Sequence, residues 1–292
     1  MSATQVYGPS PVKRRRRTNT ELEEIDQAIL TALEEENPAT LRGTYYRVVS
    51  AGAIDKTEAA YKVIGRRVLA LRRSGRLSYR WITDGTRYVT RPSDWNNVEQ
   101  MLQVYSSSYR RALWVDQPVD VHLFCEKDAI TGVIEPVTFD TYAVPVGVMR
   151  GYASESFCWK VAESLKFSTK PVIFYNLGDH DPSGVDVWRD FEEKVRGFAP
   201  RAEVTFERIA VTPGQIEQLN LPTRPTKKTD SRAAGFRGES VEVDAIPPRM
   251  LRQIVEEAVT RHMDQHQLQI TKMVEDSERE WLRSLTVGGD SR

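Results

Sequence analysis

The sequence has 292 residues, of which 40% are hydrophobic and 28% are charged, so it can bury a sizeable core and is expected to form two domains. It has no apolar run of membrane-spanning length and no apolar signal region at the N-terminus. We therefore expect no membrane association and no secretion, and a location in the cytoplasm with the nucleoid or in the nucleus. The two cysteines, Cys125 and Cys158, cannot form a four-ligand zinc site and fit a reducing compartment.

The charges balance overall, with 41 basic and 41 acidic residues, but they are segregated along the chain. Residues 1–20 contain the basic run Lys13–Arg17 and no acid, which predicts a disordered tail serving as a nonspecific DNA arm or a nuclear localisation signal. Residues 37–92 hold twelve basic residues against three acidic ones. A basic segment of this size is typical of nucleic-acid binding, so we expect double-stranded DNA as a partner.

Residues 21–92 begin with the pattern of three helices. The sequence Thr20–Glu23 predicts a capping box at the start of the first helix. A second helix is predicted from about Thr40 to Ser50, and a third from Lys56 to Arg73, ending before Gly75.

The pattern of a β-hairpin follows these helices. Two strand-like segments, Leu77–Ile82 and Thr86–Val89, flank the turn dipeptide Asp84-Gly85. Helices followed by such a wing are typical of a winged-helix DNA-binding domain, whose third helix enters the groove of the DNA. The side chains expected to contact DNA are basic residues of that helix and of the wing: Lys62, Arg66, Arg67, Arg73 and Arg87.

Residues 93–117 are predicted to form a connecting helix, and residues 118–292 an α/β domain with a helical C-terminal extension. Three strand-like runs, Val119–Cys125, Ala143–Val148 and Val172–Tyr175, alternate with helix-like segments. This order implies a Rossmann-like parallel sheet with right-handed crossovers.

Carboxylates follow the first and the last of these strands. Glu126 ends the first strand, and Asp179 and Asp181 lie in the turn Gly178–Gly184 after the last. Ligands of a parallel sheet collect at the carboxyl ends of its strands, so the three side chains should converge. A helix beginning after Pro182 would favour an anion at the same place. Closely spaced carboxylates suit Mg²⁺, with Mn²⁺ as the alternative.

Other interpretations of these residues stay open. Asp179 could simply cap the helix that follows it. Lys127 could pair with a phosphate or with a carboxylate, and His180 could donate to phosphate or be a solvated turn residue. Three further acids are weaker candidates for the site: Asp128, Glu242 and Asp244.

Residues 219–240 form a long, basic segment rich in Pro and Gly, which is expected to contact DNA or to be ordered by a partner. Its candidate DNA contacts are Arg224, Lys227 and Lys228. From Pro247 onward the sequence predicts one or two helices. The chain lacks Gly-x-x-x-x-Gly-Lys-Ser/Thr, so no ATP site is expected.

These segments together resemble a known family. Glu126 after a strand, followed two crossovers later by the turn Asp179–Gly184, looks like the Toprim domain. The segment Leu41–Tyr46 ahead of it resembles the Arg-x-x-aromatic-Tyr segment in the winged helix of the topoisomerase VI A subunit and the related meiotic double-strand-break transesterase. The resemblance covers about residues 38–200.

The resemblance implies a mechanism. Tyr46 would attack a DNA phosphodiester and leave a 5′-phosphotyrosyl bond, while Arg42 would lower the pKa of the tyrosine or bind the scissile phosphate. Mg²⁺ on Glu126, Asp179 and Asp181 would assist catalysis. A homodimer is implied, in which the tyrosine of one protomer meets the metal site of the other, because the two lie on separate predicted domains. A separate ATPase subunit of the B type is also implied.

Two other functions remain open. The chain could be a Toprim nuclease that uses metal-bound water and no tyrosine. It could also be a non-catalytic DNA-binding protein of the same fold, with Mg²⁺ in a structural role. In both cases Tyr45 and Tyr46 would be core aromatics of the second helix.

Overall fold

A parallel β-sheet forms the centre of the molecule. The computed structural model describes residues 17–83, 92–225, 236 and 238–287. Its four strands are β1 (Asp120–Cys125), β2 (Val146–Val148), β3 (Val172–Leu177) and β4 (Val204–Ala210). They lie in the order β2-β1-β3-β4, and all three pairings are parallel. The predicted α/β class and parallel sheet are therefore confirmed.

The strand order determines where a ligand can bind. From β1 the chain crosses to β2 on one side, and from β2 it crosses back over β1 to β3. Strands β1 and β3 pair along their whole length, from Asp120 opposite Val172 to Cys125 opposite Leu177. The order thus reverses between β1 and β3, and open α/β sheets bind ligands in the crevice at such a point.

Helices cover both faces of the sheet. The ten described α-helices are α1 (Asn19–Glu35), α2 (Leu41–Ser50), α3 (Glu58–Arg73), α4 (Val98–Ser108), α5 (Asp128–Glu135), α6 (Glu155–Leu165), α7 (Pro182–Phe198), α8 (Pro213–Gln218), α9 (Pro248–Thr260) and α10 (Gln265–Val287). One face packs against α6 and α7 around Phe174 and Phe191. On the other face, a second hydrophobic cluster joins β1 and β3 to α5, α9 and the three N-terminal helices.

The first three helices occur in the predicted order, with one difference at their start. The N-cap of α1 is Thr18, not Thr20. The hydroxyl of Thr18 accepts from the N–H of Glu21, whose carboxylate accepts in return from the N–H of Thr18. A capping box needs Glu or Gln three residues after the cap, and both Thr18 and Thr20 meet that condition in this sequence.

The predicted first strand of the wing is wrong. Residues Tyr79–Trp81 form a 3₁₀ turn instead. The hydroxyl of Ser78 caps this turn, and the guanidinium of Arg72 donates to the carbonyls of Tyr79 and Ile82 at 2.8 and 2.9 Å. These bonds hold the backbone in a turn despite its strand-like composition. The turn dipeptide Asp84-Gly85 and the second strand lie outside the described residues.

The connecting helix is shorter than predicted. Helix α4 begins after Asn97, whose side chain caps it, and ends at Ser108. Its partner is α10, the longer of the two helices that follow Pro247 as predicted. Among the described helices, none is long and apolar enough to cross a membrane.

Candidate functional site

The carboxyl edge of the sheet brings two predicted site residues into contact. Glu126 follows β1, and its Oε2 accepts a hydrogen bond of 2.9 Å from the backbone N–H of Asp179, which follows β3. Asp181 is the N-cap of α7, where its Oδ1 accepts from the N–H of Gly184 at 2.8 Å. The capping role that the sequence allowed for Asp179 is therefore wrong, because Asp181 caps helix α7. The carboxylate of Asp179 instead accepts a hydrogen bond from Lys127.

Two glycines let the backbone close around the Glu126 carboxylate. A Cβ on Gly184 would stand 3.1 Å from Oε2 of Glu126, and it would overlap the carbonyl oxygen of Asp179. A Cβ on Gly178 would stand 3.4 Å from the same Oε2 and 3.1 Å from Oδ1 of Asn176. A side chain at Gly184 would therefore crowd this carboxylate and the Asp179 backbone, and one at Gly178 would crowd the amide of Asn176.

Two buried oxygen atoms at this edge receive no hydrogen bond within the described part of the chain. One is Oδ1 of Asn176, a residue that is 1% exposed, and the other is Oε2 of Glu242, which is 5% exposed. A buried acceptor left unpaired costs about 1–3 kcal/mol. Such atoms need an explanation, and a cation or a donor absent from the chain itself would supply it.

Two of the weaker candidate acids also reach this edge. Val241 exchanges both backbone hydrogen bonds with His180, at 2.8 and 3.0 Å, so a later segment crosses the end of β3. This crossing places Glu242 and Asp244, both buried, beside the carboxylate of Asp179. One signal in the sequence marks these two acids, the strand-like alternation of Glu242, Val243 and Asp244. That alternation does not indicate which strand of the sheet the segment meets.

Lys127 lies among these carboxylates. Its Nζ is 3.0 Å from Asp179, 3.0 Å from Asp244 and 3.6 Å from Glu242. Burial alone would lower the pKa of Lys127, but the three carboxylates outweigh it and raise that pKa above its ordinary value. Burial raises the pKa of Asp179 above its ordinary value, while the ammonium of Lys127 opposes that shift. Of the two roles left open for Lys127, the structure shows the ion pair.

Arginines connect the acids of this edge. Arg224 pairs with Asp181 at 3.3 Å and with Glu242 at 2.9 Å, and Arg42 pairs with the same Glu242 oxygen at 3.1 Å. Arg208 donates to the backbone carbonyls of Gly178 and Asp179 in the turn after β3, and to that of Gly184 in the first turn of α7, at 2.7 to 3.0 Å. Arg42 and Arg224 are partly exposed, at 30% and 41%, so they remain within reach of a ligand in the crevice.

Glu126, Asp179, Asp181, Glu242 and Asp244 together form what we call the acidic edge of the sheet. Tyr46 lies closer to this acidic edge than expected. Its helix α2 packs on the turn Val243–Ala245, and Arg42, one helical turn before Tyr46, pairs with Glu242. Tyr46 and Glu242 thus lie near each other within one chain, whereas the sequence was interpreted as holding the tyrosine away from the acids of its own chain. Tyr46 is 5% exposed, and burial together with Glu242 raises its pKa to about 12, against the influence of Arg42. Tyr45 is also buried, so both rings belong to the core, as the alternative interpretation held.

The predicted DNA contacts fall into separate groups. Lys62, Arg66 and Arg73 are exposed on α3 at spacings that place them along one side of the helix. Arg67 instead donates to Asp26, which is fully buried on α1, with Nε 2.6 Å from Oδ1. This guanidinium holds two helices together, so it is no longer a candidate DNA contact. Three predicted contacts lie outside the described residues: Arg87, Lys227 and Lys228.

The edge fits Mg²⁺ in its chemistry. Glu126, Asp179 and Asp181 offer the carboxylate oxygens that Mg²⁺ prefers, and the unpaired amide oxygen of Asn176 adjoins Glu126. Within the described ranges, no group of three or more His, Cys, Asp or Glu side chains is placed to hold a metal ion. The ammonium of Lys127 is the cation that contacts Asp179 here.

Comparison with known protein families and with curated proteins gives no match for this sequence.

Proposed function

We propose that this protein binds DNA and cleaves its phosphodiester bonds with Mg²⁺ or Mn²⁺, using an N-terminal helical DNA-binding domain and a Toprim domain that resemble those of the topoisomerase VI A subunit. The observation that carries the proposal is the meeting of Glu126 and Asp179 where the strand order reverses. Asp181 and the N-terminus of α7 adjoin them. Carboxylates beside an anion-favouring helix end are what a metal and a phosphate need together.

The basic face of α3 supports DNA as the ligand. Lys62, Arg66 and Arg73 are exposed, and the described residues offer none of them an ion pair with an acid. Cations of this kind neutralise phosphates and release counterions, which gives affinity that falls as salt rises. Helix α2 links this part of the chain directly to the acidic edge, because Arg42 pairs with Glu242.

Six side chains at this edge have a role in the proposed reaction. Glu126, Asp179 and Asp181 would hold Mg²⁺, which would neutralise charge on the scissile phosphate. Arg42 and Arg224 would donate to the phosphate oxygens, since both are partly exposed beside the acids. Arg208 fixes the turn that carries both aspartates through its bonds to backbone carbonyls.

The structure supports water as the nucleophile better than Tyr46. The tyrosine is 5% exposed, so a phosphate would have to enter the core to meet it. With its pKa raised to about 12, only a fraction on the order of 10⁻⁵ of its hydroxyl is ionised at neutral pH. Hydrolysis at the exposed side of the acidic edge requires no such rearrangement.

A tyrosine transesterase is the second candidate. Its support is the position of Arg42, which lies one helical turn before Tyr46, pairs with Glu242 and, against the effect of burial, lowers the pKa of the tyrosine hydroxyl. In this version the protein would act as a homodimer, and a separate ATPase subunit would drive strand passage. Tyr46 would leave the core when the partner protomer and DNA bind.

Denaturing-gel analysis of end-labelled duplex DNA tests both versions. With Mg²⁺, hydrolysis gives free fragments that protease treatment does not alter, whereas the transesterase leaves a protein adduct on the 5′ end. We expect Asp179→Asn to abolish cleavage and Tyr46→Phe to retain it. The control is Asp190→Asn, a carboxylate further along α7 that pairs with Lys194. An adduct that Tyr46→Phe removes would establish the second candidate, and cleavage by neither route would leave a DNA-binding role alone.

A further inference from the structure

Lys127 is surrounded by more negative charge than one ammonium neutralises. Three carboxylates lie within 3.6 Å of its Nζ, and all three are at least nine-tenths buried. The only other cations paired with them within the described residues are Arg42 and Arg224, and both contact Glu242. For Asp179 and Asp244, the ammonium of Lys127 is the sole ionic partner in that part of the chain.

The unpaired oxygen of Glu242 shows that the ammonium does not complete this cluster. Oε2 of Glu242 is buried and receives no hydrogen bond from the described residues, and Lys127 remains 3.6 Å away. An ammonium has three protons, and those of Lys127 are directed at Asp179 and Asp244, at 3.0 Å each. A divalent ion takes six or more oxygen ligands and carries twice the charge, so it would satisfy more of these oxygens.

Lys127 is also able to leave. Its side chain is 31% exposed, so the ammonium has a path to water on a flexible stem. The carboxylates, in contrast, are fixed: Oδ1 of Asp179 accepts from the N–H of Val243 at 2.9 Å, and Asp244 accepts from the hydroxyl of Thr40. The cluster therefore keeps its shape when the cation changes.

We propose that the acidic edge exchanges cations, with the ammonium of Lys127 and a divalent metal ion binding the carboxylate of Asp179 in alternation. Lys127 is then a positioning residue: it keeps the buried acids together while no metal is bound, and it weakens metal binding by competing for the same oxygen atoms. This inference rests on the proposed metal site and adds to it a residue that sets its affinity.

Calorimetric titration with MgCl₂ and MnCl₂ tests the exchange in the full-length protein. We expect Lys127→Met to bind the metal about tenfold more tightly than the wild type, because a competing charge is removed. Lys127→Arg should bind like the wild type or more weakly. The control is Lys160→Met, an exposed lysine of α6. Equal or weaker binding by folded Lys127→Met overturns the inference while leaving the metal site intact, whereas metal binding by neither protein removes the proposed site itself.

A measurement on the wild type covers the case in which Lys127→Met does not fold. Lysine acetylation by a trace reagent, mapped by mass spectrometry at constant pH, reports the access of each amine. Saturating Mg²⁺ should raise the labelling of Lys127 at least about threefold, because the released side chain moves into water, and it should leave Lys160 unchanged. Unchanged labelling of Lys127 while Mg²⁺ is bound would contradict the exchange.

Discussion

The neighbouring arginines Arg66 and Arg67 of α3 should have different roles, Arg66 in DNA binding and Arg67 in stability. Replacing Arg67 tests this difference most directly. Asp26 is fully buried, and Nε of Arg67 lies 2.6 Å from its carboxylate. Removing one partner of a fully buried pair costs about 3–5 kcal/mol. The loss is smaller here because Arg76 stays 3.6 Å from Asp26 and Arg67 is 27% exposed. We therefore expect Arg67→Ala to lower the free energy of unfolding by about 2–3 kcal/mol.

Urea unfolding followed by circular dichroism measures this loss. Thermal unfolding should show the same loss as a fall in the melting temperature of roughly 5–10 °C. Arg66→Ala is the matched control, since its side chain is exposed on the same helix. It should leave the free energy of unfolding within about 0.5 kcal/mol and instead weaken DNA binding and flatten its salt dependence. A change below about 0.5 kcal/mol for Arg67→Ala would refute the assignment of this ion pair to stability.

Two further predictions concern the turn and the sheet. Gly184→Ala should destabilise the protein by about 2 kcal/mol or more and abolish cleavage, because the new Cβ would overlap the carbonyl of Asp179. The control is Gly197→Ala on the same helix, whose new Cβ meets no other atom and which should stabilise the protein slightly. Equal melting curves for both variants would contradict this geometry. Burial lowers the pKa of His122, so the unfolded chain binds a proton more readily there than the folded one, and stability from this group is full above about pH 6.5 and is lost as the pH falls below that value. His122→Gln should reduce that loss in urea titrations between about pH 7 and pH 5, and an unaltered pH profile would argue against a neutral buried imidazole.

The sheet and its acidic end could be predicted from the sequence because both follow from local signals. The apolar run Val172–Tyr175 identifies a buried strand, and the alternation of strands and helices predicts that the strands pair in parallel. Once the strands are parallel, Glu126 and Asp179 must lie at the same edge. Their direct contact also depends on the strand order, which places β1 beside β3 and which the alternating pattern does not specify.

Features that depend on distant contacts could not be predicted. The 3₁₀ turn Tyr79–Trp81 replaces a strand because Arg72, on the preceding helix, binds its carbonyls. Glu242 and Asp244 join the site because a segment far along the chain pairs with His180. Nothing in the local sequence of either segment specifies such a partner.

The position of Tyr46 shows the same limit. A pattern of separate helices and strands suggested two domains held apart, and that separation was taken as an argument, beside the family resemblance, for a homodimer. The structure instead packs α2 on the turn Val243–Ala245, because Gly43 lets the helix approach the carbonyl of Asp244 closely. Proximity of Tyr46 to the acids within one chain removes that argument for a dimer and leaves the dimer as a prediction.

We propose above that the acidic edge between β1 and β3 is a metal-dependent centre for cleaving DNA. The most direct measurement compares the rate at which wild-type protein and Asp179→Asn cut labelled duplex DNA in Mg²⁺, with both proteins shown to be folded by circular dichroism. We expect cleavage that EDTA abolishes and that falls at least about a hundredfold in Asp179→Asn, while Asp190→Asn cuts like the wild type. Cleavage by folded Asp179→Asn at the wild-type rate would contradict it.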